Sequence, residues 1–139
     1  MKLPHTRVEI QVRFSDLDIN GHVSNSYYAQ YFDLARMSFF KEVDRLSAAT
    51  SPTHVVASVK MDMLHEIRFD QQVFVDTWCS RMGNKSMTIE HFIYANGEKV
   101  TTCQTVLVGF DRNTRSSSVL PSDWEASDTS LVLAPATKS

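Results

Sequence analysis

The alternation of apolar and polar residues lays out most of this chain before any other property is considered. Val8, Ile10, Val12 and Phe14 alternate with Glu9, Gln11 and Arg13, the period of two of a half-buried strand. From Ser24 to Val43 the period changes, with Tyr28, Tyr31, Phe32, Ala35, Phe39 and Val43 recurring at spacings of three and four, widened by Tyr27, Leu34, Met37 and Phe40. That spacing predicts one long helix with a broad apolar face, its start capped by Ser24, Asn25 or Ser26. After the loop at Ser51-Pro52-Thr53, Val55, Ala57, Val59, Met61, Met63 and Ile67 oppose Ser58, Lys60, Asp62 and Glu66, which predicts a long second strand. Three more strands are expected at Val73 to Arg81, Ser86 to Tyr94 and Lys99 to Phe110. Met82-Gly83-Asn84-Lys85 supplies the turn between the first two of these. Asn96-Gly97 is a hairpin signal before the last, since both residues tolerate the positive φ of a type I′ turn.

One strand, one long helix and then four strands predict an α+β domain, an antiparallel five-stranded sheet wrapped around the helix. Residues 1–112 carry this pattern. Residues 113–139, rich in Ser, Thr, Asp and Ala, keep no period and read as a C-terminal tail, partly docked through Leu120 and Trp124 and otherwise flexible. The far face of the sheet holds some of Phe74, Trp78, Phe92 and Tyr94, more aromatic surface than a monomer exposes, which predicts a homodimer or a larger symmetric assembly.

Composition narrows the field. A chain of 139 residues, 42% hydrophobic and 22% charged, fits one domain. With 14 Lys and Arg against 16 Asp and Glu the net charge is −2, which argues against binding to nucleic acid or an anionic membrane. Met1 to Arg7 is polar, and no apolar run approaches the roughly 18 residues of a membrane span. Cys79 and Cys103 stand alone on predicted strands, and His5, His54, His65 and His91 keep no metal-ligand spacing. The expectation is a reduced, cytoplasmic protein without a metal.

The chemistry gathers in Asp16-Leu17-Asp18-Ile19-Asn20-Gly21-His22-Val23-Ser24-Asn25, between the first strand and the helix. Asp16, Asp18, Asn20 and Gly21 match the opening of a calcium loop, but Tyr27 stands at its twelfth position, where a bidentate Glu is required. A local reading has Asp18 and Asn20 satisfying turn amides while His22 packs nearby. A catalytic reading sets a carboxylate and an imidazole beside a helix N-terminus, whose unpaired N–H groups accept an anion. A general base next to an oxyanion hole is what acyl transfer needs.

The run Val12 to Asn25, with Tyr27-Tyr28 and Tyr31-Phe32-Asp33-Leu34-Ala35-Arg36, resembles the signature of hotdog-fold acyl-CoA thioesterases of the 4-hydroxybenzoyl-CoA thioesterase-like family. The pattern Asp18, Asn20, His22 is also similar to the motif of acyl-ACP thioesterases, and the resemblance extends from Val8 to Phe110. It implies a hotdog fold, homodimers that assemble to homotetramers, and active sites at the dimer interface. It implies Asp18 as the catalytic carboxylate, a general base on water or a nucleophile through a mixed anhydride, with the backbone N–H near Asn25 in the oxyanion hole. Asn20 and His22 correspond to the polar partners of the acyl-ACP branch. The chain departs from the family at Arg68-Phe69-Asp70-Gln71-Gln72, where members place Pro and Gly-Asp, and at Ser24, where Asn is common.

No cofactor is called for, because a leaving thiol with a pKa of about 8.5 departs with little protonation. His22 would orient water or tune Asp18. The phosphates of CoA require a local basic patch, for which Lys60, Arg81 and Lys85, with the turn Gly83 to Ser86, are the candidates. Tyr28 and Phe32 are the candidates to line the acyl chain. The acyl carrier is CoA or acyl-carrier protein. Two other functions stay open. An (R)-specific enoyl-CoA hydratase would use a similar Asp and His, but at five steps with a Pro between, where this chain has four steps and Gly21. A non-enzymatic acyl-CoA-binding module would need a separate partner, since no basic helix-turn-helix is present.

Overall fold

The computed structural model describes residues 1–47 and 51–128, so the end of the predicted tail, 129–139, lies outside the described residues. The elements run β1 (Thr6–Ile10), a turn of 3-10 helix (Phe14–Asp16), α1 (Asn25–Leu46), β2 (His54–Met63), β3 (Val73–Met82), β4 (Ser86–Ala95), β5 (Glu98–Asp111) and β6 (Ser116–Ser117). The strands form one antiparallel sheet in the order β1-β3-β4-β5-β2, with β6 beside β5.

The 22 residues of α1 contain neither Gly nor Pro, so nothing in them interrupts a helix. Tyr28, Tyr31, Phe32, Ala35, Phe39, Phe40 and Val43 are buried against the sheet, while Asp33 with Arg36 and Glu42 with Arg45 pair along the outer side. The first half of the stripe packs on Ile10, Val73, Val75, Ile93 and Val100. Its second half packs on Cys79, Met87, Ile89 and Leu107. The Asn96-Gly97 hairpin has φ of 50° and 82° at its two residues, as its turn chemistry requires.

Three features depart from simple alternation. The first strand ends at Ile10, four residues before Phe14, because the Asp16 amide bonds back to the Arg13 carbonyl at 2.9 Å and coils the chain. Val12 nevertheless stays in the core, and Phe14 turns out to solvent. In β2 the register slips between Val56 and Ser58, so a bulge at Ala57 reverses the parity of what precedes it. Val56, opposite the buried Leu107, faces the helix side with Val59, Met61 and Met63, and Val55 is thrown to the other face. Being on the edge of the sheet, β2 leaves Val55, Val56, Val59 and Met63 between 42% and 54% exposed.

On the far face of the sheet the aromatic residues shield one another. Trp78 meets Phe92 edge-on at 4.7 Å and is stacked by His5 at 5.8 Å, and both Trp78 and Tyr94 are buried. Arg7 lies over Phe74 and Tyr94 while forming a two-point ion pair with the buried Asp76, and Lys99 caps Phe92. Leu120 and Trp124 sit in the second core cluster, Trp124 near Phe40, and the Ser127 hydroxyl and amide bond the backbone of Cys79 beyond the end of β1.

Candidate active site

The site begins with a tight loop. Leu17 and Val23 form an antiparallel bridge, the Asp18 amide donates to the His22 carbonyl at 2.7 Å, and the Gly21 amide donates to the Asp18 carbonyl at 3.1 Å. Inside that loop Oδ1 of Asp18 accepts the amides of Asn20 at 2.9 Å and His22 at 3.2 Å. The local reading of the motif is therefore realised on one carboxylate oxygen. The other oxygen is left for the cleft. Gly21 closes the turn at φ 78°, with open space where a Cβ would stand. The backbone conformation alone requires glycine there. We expect Gly21→Ala to lose about 1 kcal/mol in chemical unfolding and Gly21→Asn to lose less, because Asn tolerates this conformation.

The loop feeds directly into α1. Ser24 is the N-cap residue, but its hydroxyl meets that of Ser26 at 3.4 Å and caps no amide, and the first turn holds no acidic side chain. The Tyr27 amide bonds to the Ser24 carbonyl. Helix geometry leaves the amides of Asn25 and Ser26 without an intrahelical partner, so the positive end of the helix dipole is uncompensated.

Asp18, His22, Val23, Asn25 and Tyr28 line one side of a cleft of about 320 Å³, and Met63 to Glu66 line the other. The far wall is fixed in place. The amides of Leu64 and His65 both donate to the Val100 carbonyl, the Val23 amide donates to the carbonyl of the fully buried Ile67, and His22 bridges Arg68. Burial pushes the Tyr28 phenol above its usual range against the Ile67 amide, with the charges of Glu66 and Asp18 adding to the rise. Hollows of up to about 640 Å³ run between β1 and the outer side of α1, away from this carboxylate.

Behind the loop lies a cluster that periodicity did not single out. Asp16 is fully buried, accepting the Tyr31 hydroxyl at 2.6 Å, Nε of Arg13 at 3.1 Å and the Arg13 amide at 3.2 Å. Burial opposes its ionisation, but the bonds from Tyr31 and Arg13 outweigh it and hold the carboxyl below its usual range. Burial and the same bond push the Tyr31 phenol well up. The Asp16 carbonyl also accepts the Ser24 amide at 2.8 Å, tying this anchor to the helix start. One signal for it was present: Asp16 and Asp18 stand two apart on a folded-back segment, and Tyr31 is the inward helix position that reaches the first.

The remaining candidates separate. Asn20 is exposed at the tip of the loop. Phe32 is buried, its ring 5.1 Å from that of His91, and belongs to the core. Burial pushes that histidine down to about 3, and it bonds Thr77 at 2.8 Å. Lys60 lies midway along β2, opposite Gln104, on the far face. Arg81 and the Gly83 to Ser86 turn stand where β3 passes to β4, at the opposite end of the sheet from Met63 and Val73. Ten residues of β3 separate the two ends, about 30 Å of strand. Lys85 there reaches the Ser117 hydroxyl at 3.5 Å. Within one chain the basic candidates and Asp18 do not meet.

A model of the thioesterase-like superfamily matches residues 12–129. This chain belongs to that superfamily. A solved thioesterase from Thermus thermophilus, complexed with coenzyme A and Zn, is 35% identical, with a TM-score of 0.73 over 84% of this chain and 85% of that one. A predicted thioesterase from Bacillus stearothermophilus is 28% identical, with a TM-score of 0.76 over 86% and 90%. An uncharacterized protein of Bacillus subtilis (strain 168), YsmA, is 31% identical over 102 residues, 72% of this chain and 69% of its own length. The architecture is that of the hotdog thioesterases, a single helix held by an antiparallel sheet. As a member of the superfamily the chain is a thioester hydrolase. Among the described residues no helix is long and apolar enough to cross a membrane, and no group of three or more His, Cys, Asp or Glu side chains is placed to hold a metal ion.

Proposed function

We propose that this superfamily member hydrolyses acyl-CoA thioesters to a carboxylic acid and CoA, with Asp18 as the reacting carboxylate. The observation that carries the reading is one juxtaposition: a carboxylate pinned by two amides through Oδ1 faces a cleft that also holds the uncapped start of α1. The thioester carbonyl would rest with its oxygen at the Asn25 amide. Asp18 then removes a proton from an attacking water, or attacks the carbonyl carbon itself to give an anhydride that water opens. In both routes the negative charge on the carbonyl oxygen is met by the helix start, a contribution of about 3 to 4 kcal/mol for each well-placed donor. As the C–S bond breaks, sulfur leaves with the bonding pair as CoA thiolate.

Tyr28 and Met63 bound the acyl side of the cleft in this reading, and Asn20 holds the loop through its amide. The apolar edge at Val56, Val59 and Met63 supports pairing with a second copy along β2. Such a homodimer, associating further to a homotetramer, would let a partner bring Lys60, Arg81, Lys85 and the turn from Gly83 to Ser86 toward the phosphates of CoA or of a carrier-protein arm. The reading places the enzyme with the cytoplasmic acyl-CoA pool. Its test is a panel of short, long and aromatic acyl-CoAs assayed for free thiol, with crotonyl-CoA included. Thiol release from at least one member is expected. Hydration of crotonyl-CoA without thiol release would instead assign a hydratase.

A further inference from the structure

The wall opposite Asp18 carries a second carboxylate that the reaction as described leaves unused. Glu66 lines the cleft, one residue from the fully buried Ile67, which the Val23 amide ties to the catalytic loop at 2.8 Å. The backbone bridge between His22 and Arg68 sets the imidazole beside this segment. We propose that Glu66 is a positioning residue of this site, its carboxylate keeping the His22 imidazole cationic and turned into the cleft, where it offsets the charge gathering on the leaving sulfur. The assignment rests on the thioesterase reading above.

The charges around the pair favour it. Asp18 spends Oδ1 on backbone amides. His65, the other imidazole of the cleft, is engaged by Glu98 of β5, Nε2 to Oε1 at 3.1 Å. Glu66 is the remaining carboxylate facing His22, and the electrostatics run both ways along the wall. Its own backbone N–H holds the Glu66 carboxyl below the usual range, with His22 next in weight and Arg68 and His65 after it. From α1 the neutral phenol of Tyr28 faces both Glu66 and Asp18. Glu66 thereby gives a slightly negative cleft one fixed cation, at the end away from the helix start. Sequence alternation placed Glu66 on the polar side of the second strand and gave no reason to pair it with His22.

The experiment compares the full chain with its Glu66→Gln, Glu66→Asp and His22→Gln variants. The pH dependence of kcat/KM is read on the best acyl-CoA of the panel, and the Glu66 carboxyl is titrated by carbon NMR. Removing a negative neighbour makes an imidazolium lose its proton at lower pH. In Glu66→Gln the alkaline limb of the profile should therefore move down by about half a unit, a screened surface interaction. At pH 8 kcat should fall about threefold while KM holds, and Glu66→Asp should restore most of it. In His22→Gln the Glu66 carboxyl should titrate closer to an ordinary glutamate. A Glu66→Gln profile that superimposes on wild type, or a Glu66 titration indifferent to His22→Gln, overturns the assignment while leaving an active enzyme. A wild-type protein that cleaves no thioester overturns the function itself and the assignment with it.

Discussion

Asp18→Asn should abolish thioester hydrolysis while leaving the protein folded, with kcat on the best acyl-CoA falling by about 10² to 10⁴. The asymmetry of the carboxylate makes this a clean experiment. Oδ1 is structural, accepting the amides of Asn20 and His22, and an asparagine oxygen can accept both. What asparagine cannot do is take a proton from water or attack a carbonyl carbon, so both routes stop at the first step. The helix start is untouched, and acyl-CoA should still bind with KM close to wild type. Unfolding midpoints within about 1 °C would show that the loop survives, and single-turnover thiol release would show the loss of chemistry. Full retention of kcat would remove Asp18 from the mechanism.

Asp16→Asn should do the reverse, costing stability first. The carboxyl is fully buried and takes three donors, from the Tyr31 hydroxyl and from the Arg13 side chain and amide. Asparagine offers one acceptor and turns an NH₂ group toward donors, leaving buried groups unpaired. Mutations of this kind cost about 2 to 4 kcal/mol. In a domain of this size that is a fall of roughly 6 to 12 °C in melting temperature. The pH dependence follows from the depressed carboxyl. A group with a lowered folded pKa adds stability that is fully present above its unfolded value, near 3.9, and is lost as pH falls through the folded value. Wild type should therefore lose stability below about pH 4 more steeply than Asp16→Asn, as read by urea midpoints from pH 5 downward. Equal slopes would show that the carboxyl is not held ionised by its partners.

The helix, the hairpin at Asn96-Gly97 and the catalytic loop were legible because each rests on local rules. A stripe at three and four, a turn that needs positive φ, and a polar cluster before a helix start are all written in neighbouring residues. The ends of elements were less so. Phe14 keeps the alternation of a strand that its backbone has already left, since Asp16 pulls the chain into a coil. In β2 one bulge at Ala57 reversed the parity of Val55 and Val56, and the edge position left an apolar row uncovered. Neither shows in hydrophobicity alone.

The same division runs through the site. Asp18, His22, Asn25 and Tyr28 are close in sequence and meet at one cleft. Glu66 and His65 reach it across the β2 edge, a contact that depends on where the chain turns after Met63. The basic residues around Gly83 were grouped by charge and turn chemistry, which say nothing of which end of a sheet they occupy.

The most direct test of the account is product stoichiometry. Wild-type protein is incubated with its best acyl-CoA through many turnovers, and free thiol and free carboxylic acid are both quantified. The account predicts one acid for each thiol, at a kcat/KM in the ordinary enzymatic range of about 10⁴ M⁻¹s⁻¹ or above. Acyl-CoA recovered intact from a protein that binds it tightly would contradict hydrolysis at this cleft.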